Sequence, residues 1–219
     1  DVAVWNWLLI VVGMGTAVMS AVFAVQKTDL KKLTAYSTVS HLGWIVATIG
    51  VGTPFAIAAA LVHTLAHALF KSSLFMLIGV IDHEAGSRDI RRLGPLWNKM
   101  PWTFGSVVIG AASMAAVPPL LGFVSKEGML TAFEDAPIGG AGQVILLIVA
   151  GIGAFFTFTY SAKIVFGAFF DGPRDMGDVH EAPVSLWLPA ALPGFMSLPL
   201  VFVLGLFDAP IDDAVAAVG

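Results

Sequence analysis

Three groups of side chains sit inside apolar runs of this chain, and each is of a type that can hold or release a proton. The run HTLAHALFKSSLFML carries His63, His67 and Lys71 at i, i+4 and i+8. On a helix this spacing puts them on one face across two turns, with Ser72 on a neighbouring part of it and Leu, Phe and Ala opposite. Histidine exchanges a proton near neutrality because its ordinary pKa is about 6.5. Lysine carries a proton on a flexible stem and can hand it on when taken out of water. The run MAAVPPLLGFVSKEGML places Lys126 and Glu127 within two turns of Pro118-Pro119. The run LTAYSTVSHLGW aligns Thr34, Ser37, Thr38 and His41 in one polar stripe at helical spacing. Ionisable groups at membrane depth are costly, roughly 2.5–3.5 kcal/mol for a central charge, so a chain that keeps several on one face uses them.

Plainer readings stand beside the proton path. Either histidine of the pair can be a hydrogen-bonded packing group. His63-x-x-x-His67 has a spacing compatible with zinc, but a third ligand is missing and Lys71 would repel a cation. Lys126 can snorkel to the outer interface, and Lys163, in TYSAKIVFG, to the other. His41 either links the cytoplasmic end to the central groups or makes a helix–helix hydrogen bond. Asp82, His83 and Glu84 either gather protons or are simply solvated.

The elements that must position these groups are membrane helices. Of 219 residues, 58% are hydrophobic and 12% charged; a soluble domain has about 45–50% and about 25%. A bilayer core takes about 20 apolar helical residues. Six stretches meet or approach this, at residues 4–25, 33–51, 55–81, 104–133, 144–170 and 186–206. None alternates as a strand would. Pro118-Pro119 removes two backbone donors and breaks the fourth stretch. Such breaks are tolerated at depth only where buried or lining a water-filled cavity. The expectation is an all-α integral membrane protein: one transmembrane domain of six helices, one of them broken, with no soluble domain.

Charge orients the spans. Lys27, Lys31 and Lys32 precede the second stretch; Arg88, Arg91, Arg92 and Lys99 precede the fourth; Arg174 follows the fifth. Residues 52–54, 134–143 and the tail with Asp208, Asp212 and Asp213 hold no Lys or Arg. With six alternating spans all basic loops share one side, cytoplasmic by the positive-inside rule. The net charge of −4 argues against nucleic acid, and the lack of cysteine excludes disulfides and thiolate metal sites. The chain opens at Asp1 without a signal-peptide pattern, three residues before an apolar run, and reads as a piece of a longer polypeptide. No nucleotide loop or nucleophile–base pair points to an enzyme, and no cofactor is expected.

In order and spacing, TDLKKLTAYSTVSHLGW, HTLAHALFKSSLFMLIGVIDH and PPLLGFVSKEGML resemble the proton-conducting antiporter-like subunits. These include the large membrane-arm subunits of respiratory complex I and the A-type subunits of Mrp multisubunit sodium/proton antiporters. The loop DHEAGSRDIRRLGPL is similar to the latter. The resemblance covers nearly the whole chain. It implies a core of fourteen helices with two inverted five-helix repeats, each holding one broken helix. This chain would be helices nine to fourteen, the second repeat plus the helix after it. The family's central histidines and lysine carry over onto His63, His67 and Lys71, and its broken-helix lysine onto Lys126, beside Glu127. Glutamine often stands where this chain has His41.

The implied function is a proton half-channel in a plasma-membrane machine that exchanges cytoplasmic sodium for external protons. Small membrane subunits would be its partners, with the bilayer around it. The alternative is the same path in redox-driven pumping, as in a complex I-like dehydrogenase or a membrane-bound hydrogenase. A non-transporting scaffold is a third reading.

Overall fold

Two histidine-bearing helices and one broken helix dominate the interior of the structure, a computed structural model that describes residues 2–172 and 176–218. The order is α1 (Val2–Gln26), α2 (Leu30–Val51), α3 (Pro54–Ala85), α4 (Pro101–Met114), α5 (Leu121–Glu134), α6 (Gly140–Phe169) and α7 (Val184–Phe202). A 3-10 turn (Leu204–Phe207) then leads into α8 (Asp208–Val218). No strand occurs among the described residues; Asp29 and Asp89 form one isolated bridge. Among the described residues four helices are long and apolar enough to cross a membrane: Ala3–Gln26, Pro54–Ala85, Gly140–Phe169 and Val184–Phe202. The second expected span is α2, 22 residues long, with Thr34, Ser37, Ser40, His41 and Thr48 buried. The fourth is two half-helices, α4 and α5, of 14 residues each.

Local chemistry explains where the helices start. The Asp29 carboxylate accepts from the Lys32 amide at 2.9 Å and caps α2, so Lys31 and Lys32 lie in its first turn. Thr53 caps α3, with Pro54 at its first position. α3 runs past the expected residue 81 to Ala85, carrying Asp82, His83 and Glu84 as its last turn. The sixth expected stretch, 186–206, instead ends at Phe202, and the acidic tail forms α8. α1 and α2 pack backbone to backbone: a Cβ on Gly43 would lie 2.6 Å from the Ala17 amide nitrogen.

The break between α4 and α5 holds a cis Pro118-Pro119 bond and Ala116 at φ 63°. Its freed donors are met from α4 and α7. The Leu121 amide donates to Ser197 Oγ at 3.1 Å and the Gly122 amide to Ser113 Oγ at 3.3 Å; the two hydroxyls bond each other at 2.7 Å. Gly122 is required here, since a Cβ would fall 1.7 Å from the Ser113 carbonyl oxygen.

The basic loops converge at one end of the bundle. Arg88 Nε donates to Asp29 at 2.9 Å, Lys99 to the Gly177 carbonyl at 2.7 Å, and the Thr103 hydroxyl to Glu181 at 2.6 Å. The Arg91 guanidinium holds the Asp89 carboxyl down at about 2. Arg174 lies outside the described residues. At the other end Asn6, Gly50, Val51, Pro137 and Ile138 share one cavity wall.

Candidate proton path

Packing α2, α3, α5 and α6 together brings the ionisable side chains into three stations. The first is Lys71, 5% exposed. Its ammonium donates to Ser37 Oγ, lies 3.5 Å from the Thr34 carbonyl and meets Met114 Sδ at 3.2 Å. Ser37 in turn donates to Thr34 O at 2.8 Å.

The second station is histidine. His41 Nδ1 and His63 Nε2 are 3.0 Å apart, so one ring N–H donates to the other ring nitrogen. The two rings stack with centroids 5.2 Å apart, and His63 Nδ1 reaches Ser125 Oγ at 2.9 Å. His41 thus makes the helix–helix hydrogen bond expected of it, tying α2 to α3 through the central histidine. His67 stands beside them, its ring centroid 5.7 Å from that of His41, and its buried Nε2 makes no hydrogen bond.

The third station is Lys126, 4% exposed. It does not snorkel. Its ammonium donates to Thr157 Oγ1 at 3.2 Å and lies 4.4 Å from the centre of the Trp44 ring, a cation–π contact. Tyr160 donates to the same Thr157 oxygen at 3.2 Å, and its ring lies 6.4 Å from that of His41. Lys126 also lines an open cleft of about 480 Å³ with Glu127, Thr131 and Glu134. Glu127 faces that cleft rather than the interior of the bundle.

One expectation changes. Ser72 is exposed and bonds back to Leu69 O at 3.1 Å, whereas Ser73 faces the interior. The helical step of about 100° carries residue 72 away from the face that residue 71 edges. Lys163 donates to the Val25 carbonyl at 2.5 Å, so it ties α6 to the end of α1. His83 pairs with Glu84 at 3.0 Å at the basic end. Sequence reasoning missed Ser125, Thr157 and Tyr160. Ser125 directly precedes Lys126, and the other two are hydroxyls within the apolar fifth stretch, which was the available signal.

Among the described residues no group of three or more His, Asp or Glu is placed to hold a metal ion. What the arrangement can do is hold protons in a buried interior. It offers two ammonium groups, a histidine pair and hydroxyls that both donate and accept.

Residues 2–158 match the model of the NADH:quinone oxidoreductase/Mrp antiporter transmembrane family. The A/B subunit of a probable K+/H+ antiporter of Rhizobium meliloti is 43% identical over 190 residues, 86% of this chain and 19% of the relative. The A subunit of the Na+/H+ antiporter of Bacillus subtilis is 40% identical over 220 residues, 91% of this chain and 27% of that one. The chain thus spans about a fifth to a quarter of the curated relatives it matches. In the solved Mrp complex from Dietzia, one chain superposes over all of this one and 23% of its own length, with TM-score 0.89 and 50% identity. The chain belongs to the NADH:quinone oxidoreductase/Mrp antiporter transmembrane family.

Proposed function

We propose that this chain forms a proton-conducting half of a multisubunit Na+/H+ antiporter, a secondary transporter rather than an enzyme. The observation that carries this reading is the buried set Lys71, His41, His63, Ser125 and Lys126, in which hydrogen bonds join His41 to His63 and His63 to Ser125, and whose last member lines an open cleft. Lys71 and Lys126 alternately hold a proton, and the histidines pass it between them. Charge on one lysine disfavours charge on the next, which couples the steps. His67, beside the pair, is a further acceptor, and Glu127 takes the proton from Lys126 at the cleft.

The redox-driven alternative uses the same residues. It is less favoured, since the relatives matching at 40–43% are named for antiporters. Their names give different cations, and the described interior of this chain holds no carboxylate to choose between them. The six spans act as one transmembrane domain in the plasma membrane, basic loops on the cytoplasmic side. Other membrane subunits of the complex are its partners, and the apolar outer faces of α1 and α6 meet lipid or those subunits.

The test is transport by the intact parent complex in vesicles. Lys126→Ala is expected to abolish cation/proton exchange at unchanged assembly. Exchange at the normal rate would overturn the relay.

A further inference from the structure

The ionisable groups do not form one hydrogen-bonded line, and Lys126 bonds Thr157 rather than the histidine group. No hydrogen bond joins the Lys71 group to the histidine group among the described residues, and the Phe70 side chain stands where the two meet. Phe70 is fully buried, so its ring is packed on all sides. Its centroid lies 5.2 Å from that of His41, 5.6 Å from His67 and 6.3 Å from His63, and 5.9 Å from the Lys71 ammonium. One apolar ring thus touches both proton-holding groups. It carries no atom that can accept or pass on a proton.

A proton moves between side chains along a hydrogen bond of about 3 Å or through an intervening water. With the Phe70 ring in place no direct hydrogen bond joins the two groups among the described residues. Met114 shuts another side of Lys71, its sulfur lying 3.2 Å from the ammonium and 4.0 Å from Ser37 Oγ. Buried Leu30, Leu33, Leu74, Leu77 and Ile78 belong to the same apolar core as Phe70.

We propose that Phe70 is a gate in the proton line, an apolar ring that keeps Lys71 and the His41–His63 pair from exchanging protons until it moves or water enters beside it. The proposal rests on the relay reading above. A transfer through the open gate takes a proton from the Lys71 ammonium to a ring nitrogen of neutral histidine. Water or the shifted side chains supply the bridge, and nothing is oxidised or reduced. The gate makes the relay a switch rather than a wire: without it, protons would run down their gradient with no cation in return.

The experiment measures passive collapse of an imposed pH gradient, in vesicles holding the intact parent complex and no transported cation. Rates are taken per assembled complex. Phe70→Ala removes the ring and leaves room for water, so the leak is expected to rise about tenfold, a small part of what a well-placed proton carrier can give. Phe70→Leu keeps an apolar plug and is expected to stay near the wild-type leak. Phe70→Tyr adds a hydroxyl at nearly constant volume and is expected to leak. A purely structural role would alter the amount of complex and not the leak per complex. Wild-type leak in both Phe70→Ala and Phe70→Tyr overturns the gate; should Phe70→Ala not assemble, wild-type leak in Phe70→Tyr overturns it alone. Adding Lys126→Ala to a leaking variant separates the two claims. Loss of the leak supports gate and relay together, whereas a leak that persists overturns both. Wild-type leak with exchange still abolished by Lys126→Ala overturns the gate alone.

Discussion

The two buried lysines of this chain have the same charge and nearly the same burial, but opposite surroundings. Lys71 is enclosed. Its ammonium is held by Ser37 and the Thr34 carbonyl, with a thioether and an aromatic ring closing the remaining sides. Lys126 leans on one hydroxyl and one indole face, and its helix borders a cleft with two carboxylates on its rim. A charge in a closed site depends on every hydrogen bond it has, because water cannot substitute for a missing one. A charge beside an open cleft can borrow water. In the proposed relay, this difference separates a station that stores a proton from one that can deliver it.

Breaking this contrast at its base should have the largest effect. Gly122→Ala forces a Cβ against the Ser113 carbonyl at the helix break that sets Lys126 in place. The expected cost is more than about 4 kcal/mol, read as loss of assembled complex on native gels. Normal assembly would mean that the two half-helices can separate freely. A sharper comparison removes one hydroxyl from each lysine. Ser37→Ala is expected to weaken the hold on protonated Lys71 by about 1.5–3 kcal/mol, as for hydrogen bonds to charged groups. Thr157→Ala should cost Lys126 less, since cleft water replaces the hydroxyl. Exchange rates of the two variants, taken at equal assembly, should show the larger loss for Ser37→Ala; the reverse order would show that the two sites are not closed and open as described. The mildest perturbation is a probe. Thr131→Cys, on the cleft, should react with a membrane-impermeant thiol reagent in the assembled complex, whereas Leu74→Cys, in the core below Lys71, should not. The chain has no cysteine of its own to confuse the result. Equal labelling at both positions would erase the contrast.

Much of this architecture was legible in the sequence. Long apolar runs, the double proline and the one-sided basic loops point to the helices, the break and the end where the basic loops gather. His63, Lys71 and Lys126 stand out because ionisable groups are rare in such runs. Several features were not legible, each for a physical reason. α2 begins before its expected start because an Asp29 cap places two lysines in its first turn, and charged residues do not read as part of a span. α8 carries three aspartates in a short acidic helix, which hydropathy treats as a tail. Ser72 leaves the expected face because adjacent residues on a helix point in different directions, however close they stand in sequence. The partners Ser125, Thr157 and Tyr160 come from other helices, and spacing within one helix cannot register what a second helix brings. The role of Phe70 was hidden for the same reason: in sequence it is one more apolar residue before Lys71.

Met114 gives the helix break a mechanical reach. It is the last residue of α4, and its sulfur touches the Lys71 ammonium, while Lys126 rides on α5 just past the break. The two arms of one hinged rod thus address both lysines. The broken helix thus places a contact with each lysine on either side of one backbone break.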